Sequence, residues 1–137
     1  MTSKQQITQF LQQEFPQTKC QVIDVGHRSS KVKQTIGFDE LRPGGTVSGP
    51  ALMAIADVGL YVAILGEIGL VALAVTTNLS INFLRKPTAN KAIIAECRLL
   101  KSGKTLIIGE VSLFSEGDVE PVAHVVGTYS IPPAKSI

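Results

Sequence analysis

Cysteine and charge are both scarce in this chain, and each scarcity removes a class of function. The two cysteines, Cys20 and Cys97, lie far apart, with no CxxC pair and no cluster of His and Cys. That speaks against a zinc site and offers no disulfide scaffold, so a reducing, cytoplasmic setting is expected. Charged residues make up 18% of the 137, the net charge is +2, and the basic residues are scattered. A nucleic-acid partner is therefore not expected. The first residues, from Met1 to Ile7, lack the basic-then-apolar pattern of a signal peptide, and export is not expected either. An uninterrupted apolar run is also missing. The stretch from Pro50 to Val75 is interrupted by Asp57 and then by Gly66-Glu67-Ile68-Gly69. Neither piece approaches the ~18 to 20 apolar residues that span a bilayer, so a buried helix followed by a buried strand is the stronger reading and no membrane partner is expected.

What is present is a globular composition, 45% apolar, in a length that suits one domain over residues 1–137. Within it stands one carboxylate, Asp57, inside the most apolar segment of the chain, Pro50 to Leu65. An unpaired buried carboxylate costs several kcal/mol, which makes Asp57 the first candidate for chemistry.

Residues 3–15 place Ile7, Phe10, Leu11 and Phe15 at helical spacing, with Ser3 as a cap and Pro16 as a stop. This N-terminal helix, within residues 1–16, precedes a core spanning 20–132. Gln21 to His27 and Lys31 to Phe38 read as strands joined by the turn Arg28-Ser-Ser. Pro50 suits the first turn of a helix, with Gly49 as its N-cap and Gly66 at its C-terminal end near Leu65. That helix is apolar nearly all round, so protein surrounds it. From Val71 the period becomes two. Strands are expected over 72–83, 92–101, 105–114 and 119–131, separated by short turns that favour antiparallel hairpins. In the first of these, Leu73, Val75, Thr77, Leu79, Ile81 and Phe83 are expected on the central helix; Ala72, Ala74, Thr76, Asn78, Ser80 and Asn82 form the other face. The order gives an α+β domain, an antiparallel sheet of about six strands wrapped around one long helix, the outline of the hotdog fold.

Three blocks, Gly45-Thr-Val-Ser-Gly-Pro-Ala-Leu-Met-Ala-Ile-Ala-Asp57, Val75-Thr-Thr-Asn-Leu-Ser-Ile-Asn-Phe-Leu-Arg85 and Arg98-Leu-Leu-Lys-Ser-Gly-Lys-Thr-Leu106, resemble the PaaI-like (phenylacetyl-CoA-type) acyl-CoA thioesterases. The resemblance covers roughly residues 20–132. It implies Gly49 as the oxyanion-hole glycine, Asp57 as nucleophile or general base, and Thr76 as a hydroxyl that orients water or the carboxylate. It implies no metal, no cofactor beyond the coenzyme A of the substrate, and a homodimer, often doubled into a tetramer. Ser48 stands where the family usually has His, and Arg42 where some members have an Asn on the thioester carbonyl.

Thioester hydrolysis needs a base or nucleophile near the carbonyl carbon and a donor aimed at the oxygen that becomes negative. Eight residues of helix separate Gly49 from Asp57, about 12 Å at ~1.5 Å per residue, too far to act on one carbonyl. Two copies with antiparallel helices would bring Gly49 of one chain to Asp57 of the other, so sites at a homodimer interface are expected. Tyr61, four residues after Asp57, is a candidate for an acyl pocket, and Ser48, Arg42 and Asn78 for other substrate contacts. Arg85 and Lys86, with Lys101, Ser102, Gly103 and Lys104, are candidates for coenzyme phosphates. The rivals are a non-catalytic acyl-CoA or lipid-binding protein and a hydratase or dehydratase, which usually needs a His paired with an acid.

Overall fold

The computed structural model describes residues 2–133. Helix α1 (Lys4–Glu14) opens with a reciprocal cap: Ser3 Oγ accepts the Gln6 N–H at 3.2 Å, and Gln6 Oε1 accepts the Ser3 N–H at 3.0 Å. Ile7 and Leu11 are its buried residues. Strands β1 (Gln21–Gly26) and β2 (Ser29–Gln34) follow, joined by a tight turn in which Arg28 takes φ 53°. Ser29 and Ser30 thus already belong to β2, which ends at Gln34. Phe38, expected in that strand, opens a single 3-10 turn, Phe38–Glu40. The next segment forms two short paired strands, β3 (Leu41–Arg42) and β4 (Thr46–Val47). Gly44 and Gly45 turn between them with φ 99° and 76°, a conformation open to glycine.

Helix α2 runs Gly49–Ile68, one turn beyond the expected end, and Gly69 caps it with φ 104°. Gly66 is therefore inside the helix. A methyl group there would stand 2.6 Å from Val25 Cγ1, so the glycine serves a close approach of β1. At 20 residues α2 is long and apolar enough by composition to cross a bilayer, contrary to the expectation from its interruptions. It is instead enclosed by the sheet, with Leu52, Ile55, Leu60, Val62, Ile64 and Leu65 all but inaccessible.

The remaining strands are β5 (Val75–Phe83), β6 (Ile93–Ser102), β7 (Leu106–Ser115) and β8 (Ala123–Ser130). With β1 and β2 they form one antiparallel sheet in the order β1-β2-β6-β7-β8-β5. This is the hotdog architecture, the long helix held in the curl of the sheet. Alternate residues face the helix: Ile93, Ala95, Cys97 and Leu99 on β6, Val111 and Leu113 on β7, Ala123, Val125 and Tyr129 on β8. Gly109 and Gly127 lie opposite each other in the ladder, and Leu60 fills the notch they leave.

Strand β5 departs from the expected alternation. A bulge at Thr77 breaks the ladder, pairing Thr76 with Tyr129 and Asn78 with Thr128. Paired residues share a face, and one extra residue reverses the phase. Thr76 therefore joins Leu79, Ile81 and Phe83 on the helix side. Val75 turns outward with Asn78, Ser80 and Asn82. Leu73 precedes the strand altogether.

Candidate functional site

The N-terminus of α2 is built by the triplet Ser48-Gly49-Pro50. Ser48, rather than Gly49, is the N-cap, because its hydroxyl accepts the Ala51 N–H at 3.2 Å and glycine has no side-chain acceptor. The Leu52 N–H reaches the Ser48 carbonyl at 3.1 Å, and Pro50 has no N–H to offer. Among the described residues nothing accepts the Gly49 N–H. It is the one unpaired donor of the first turn, at the positive end of the helix dipole. The Gly49 Cα faces a ring: a methyl group there would come 3.0 Å from Phe83 Cζ.

This loop is held from behind. The Ser48 N–H donates to the Glu40 carbonyl at 2.8 Å, and the buried Glu40 carboxylate accepts from the Gly37 N–H at 2.7 Å and Lys19 Nζ at 2.8 Å. The Lys19 hydrogen bond, aided by Gly37, holds the Glu40 carboxyl below the usual carboxylate range. A lowered folded pKa adds stability above the ordinary Glu value and loses it as pH falls through the folded one. Glu40→Gln should thus be less stable than wild type in urea at neutral pH, with the gap narrowing as pH falls below the ordinary Glu value. A gap that does not narrow on acidification would exclude the ion pair as its source.

Asp57 sits two turns along α2, half-buried. Thr76 Oγ1 donates to its Oδ1 at 2.6 Å, and the Tyr129 hydroxyl donates to the same oxygen at 2.8 Å. Among the described residues nothing donates to Oδ2. Tyr129 is buried; its phenol is pushed well above the ordinary range, first by that burial and then by the Asp57 charge, so it remains a donor. Its ring stacks on Tyr61 with centroids 6.1 Å apart, and the Tyr61 hydroxyl donates to the Ala72 carbonyl at 3.2 Å. Burial pushes Cys97 up to about 12 and Cys20 to about 11, so neither thiol supplies a nucleophile near neutral pH.

The structure brings Thr76 to Asp57, as the family resemblance implied and against the expected alternation of the strand, and places Tyr61 beside it. Asn78 is not brought there, since the bulge leaves it on the sheet face away from α2. Arg42, Arg85 and Lys86 line one groove with Ser48, Gly49 and Phe83. Within it Arg85 is already engaged, by Glu120 and the Pro121 carbonyl. Lys101, Ser102, Gly103 and Lys104 belong to the β6–β7 connection. That turn lies at the opposite end of the sheet, in line with Val75 and Ser130. Gly49 lines the groove that holds Arg85 and Lys86, whereas Asp57 lines two others, one of which reaches Ser48 and Pro50 at the head of α2. Tyr129 was missed by sequence reasoning. Its signal was alternation: it falls on the inward face with Ala123, Val125 and Gly127, where a phenol needs a partner.

The model of the thioesterase superfamily matches residues 44–122. Among curated proteins no match is found. Among solved structures, a candidate thioesterase from Silicibacter sp. TM1040 is 41% identical, with TM-score 0.89 over 97% of this chain and 94% of that one. The PaaI protein of the Escherichia coli phenylacetic acid degradation operon is 18% identical, with TM-score 0.73 over 85% of this chain and 81% of its own. A hypothetical thioesterase from Streptococcus pneumoniae TIGR4, solved with coenzyme A, is 17% identical, with TM-score 0.74 over 85% of this chain and 88% of its own. With its PaaI-like hotdog fold and its matched central segment, the chain belongs to the thioesterase superfamily and is a thioester hydrolase.

Proposed function

We infer that this protein hydrolyses aryl- or acyl-CoA thioesters to the free acid and coenzyme A, at sites shared between two copies of the chain. The observation that carries the reading is the Asp57 carboxylate, anchored through Oδ1 by Thr76 and Tyr129 with Oδ2 left open. In one route Oδ2 attacks the thioester carbonyl, the thiolate leaves and takes a proton, and water cleaves the resulting anhydride. In the other Oδ2 takes a proton from water, and the hydroxide attacks directly. Either way charge develops on the carbonyl oxygen, and the Gly49 N–H at the head of α2 suits it.

Strand β5 supports the second copy. It is an edge strand, with one side of its backbone unpaired, and Leu73, Val75 and Phe83 are 68%, 55% and 53% exposed on and beside it. An edge of this kind invites pairing with its own copy. Antiparallel pairing of β5 with β5 would set the Thr76 end of one chain against the Phe83 end of the other. Asp57 would then approach Gly49 of the partner subunit, and the Lys101–Lys104 turn would move toward Arg85 and Lys86 of the partner subunit. The bound coenzyme in the pneumococcal relative fits a coenzyme A thioester as the substrate type.

Mixing tests the shared site. Gly49→Val and Asp57→Asn, each inactive alone, are co-refolded in equal amounts. Half the dimers then carry one intact pair, and about a quarter of wild-type activity returns. No return of activity would place both groups of each site in the same chain. The acyl-binding rival predicts saturable binding with no turnover across a panel of acyl-CoA esters. The hydratase rival gains nothing from His124, which pairs with Glu110 at 3.2 Å on the face of the sheet away from α2.

A further inference from the structure

We propose that Tyr129 is the positioning residue of this site: it makes the two oxygens of Asp57 unequal, so that only Oδ2 meets the thioester or the attacking water. The inference rests on Asp57 being the reacting carboxylate.

An aspartate on a half-exposed helix face has a broad, nearly two-fold χ2 torsion, and its oxygens exchange freely. Here two hydroxyls converge on one of them, at 2.6 Å from Thr76 and 2.8 Å from Tyr129. Rotation about the Cβ–Cγ bond would break both hydrogen bonds at once. Near-attack geometry depends on such fixing.

The two donors are held differently. Within one chain Thr76 is exposed, on the edge strand β5, and the proposed pairing with a second copy is what would cover it. Tyr129 is on β8, inside the sheet between β5 and β7, and only 3% exposed. Its ring is stacked on Tyr61, which is itself tied to the Ala72 carbonyl. A second contact fixes its tip: the Asp57 carbonyl lies 3.2 Å from the same hydroxyl. Tyr129 therefore senses both the helix backbone and the carboxylate that the helix presents. The Thr77 bulge is what sets Thr76 directly opposite Tyr129, so both hydroxyls share one target.

The test is Tyr129→Phe, which keeps the ring and its stacking and removes only the hydroxyl. We expect kcat to fall about tenfold or more while KM stays within about twofold, the split for a group that orients chemistry rather than binding. The same substitution in an Asp57→Asn background should change the residual rate by less than about twofold, because the group it orients is gone. A kcat within about twofold of wild type in Tyr129→Phe overturns the inference, as does an equal proportional loss in both backgrounds. Rates are compared below the melting temperature of each variant, so a loss of stability does not pass for a loss of positioning. If Asp57→Ala is inactive and Tyr129→Phe fully active, the positioning role alone fails. If Asp57→Ala retains full activity, the functional reading fails with it.

Discussion

Asp57→Asn will lower kcat on an acyl-CoA ester by about 10² to 10⁴-fold and leave the fold intact, as removal of a reacting acid or base does. The asparagine keeps the volume and can still accept from Thr76 and Tyr129 through its carbonyl oxygen. What it loses is charge at the open oxygen. The nucleophile and the base both need that charge, so the forecast does not depend on which route operates. Steady-state kinetics with thiol release as the readout decides it, and circular dichroism checks the fold. Activity within a few-fold of wild type would remove Asp57 from the chemistry. The carboxylate would then be a structural partner for two hydroxyls.

The largest effect on stability is expected at Leu60. Its side chain is 1% exposed and occupies the space in front of Gly109 and Gly127, where methyl groups would come within 2.7 and 2.5 Å of its terminal carbons. Two residues without side chains, opposite each other in β7 and β8, make a slot in the sheet for one leucine of the helix. Leu60→Ala removes the occupant and leaves a cavity bordered by the two glycines and by the Leu79 and Leu99 side chains, which can close it only in part. A loss of about 3 to 5 kcal/mol in urea unfolding is expected. The converse substitution has a context-dependent sign. Gly127→Ala destabilises the wild type, where the new methyl group strikes Leu60, and recovers part of the loss in the Leu60→Ala background. If Gly127→Ala is equally harmful in both, the leucine is not what fills the slot.

The helices and the sheet were readable because burial follows periodicity: α2 is apolar on every side, and the later strands alternate. Boundaries were less readable. Gly66 resembles a helix terminator, yet it is a contact with Val25, and nothing local distinguishes a glycine that ends a helix from one that lets a strand approach. The 3-10 turn and the β3–β4 pair are held by contacts from Lys19 and Pro87, far away in sequence. Asp57 was legible as a lone charge among apolar residues, and Gly49 from the helix start it accompanies. Thr76 was singled out, and it does meet Asp57, but it was placed on the wrong face, because strict alternation has no signal for a one-residue bulge at Thr77. Tyr129 lay hidden in an ordinary strand pattern. Its meaning depends on a pairing between β5 and β8 that local sequence does not announce.

The head of α2 has one more consequence. Helix ends that cradle phosphates offer several N–H groups together and grip an anion from more than one direction. Ser48 and Pro50 leave α2 with a single outward donor, on Gly49. A lone donor matches a carbonyl oxygen that gains charge for an instant. It is a poor seat for the two-oxygen carboxylate of a free acid. If the Gly49 N–H serves the oxyanion, it favours the reacting state and is indifferent to the product, and departure of the acid would meet little resistance at that end of the site.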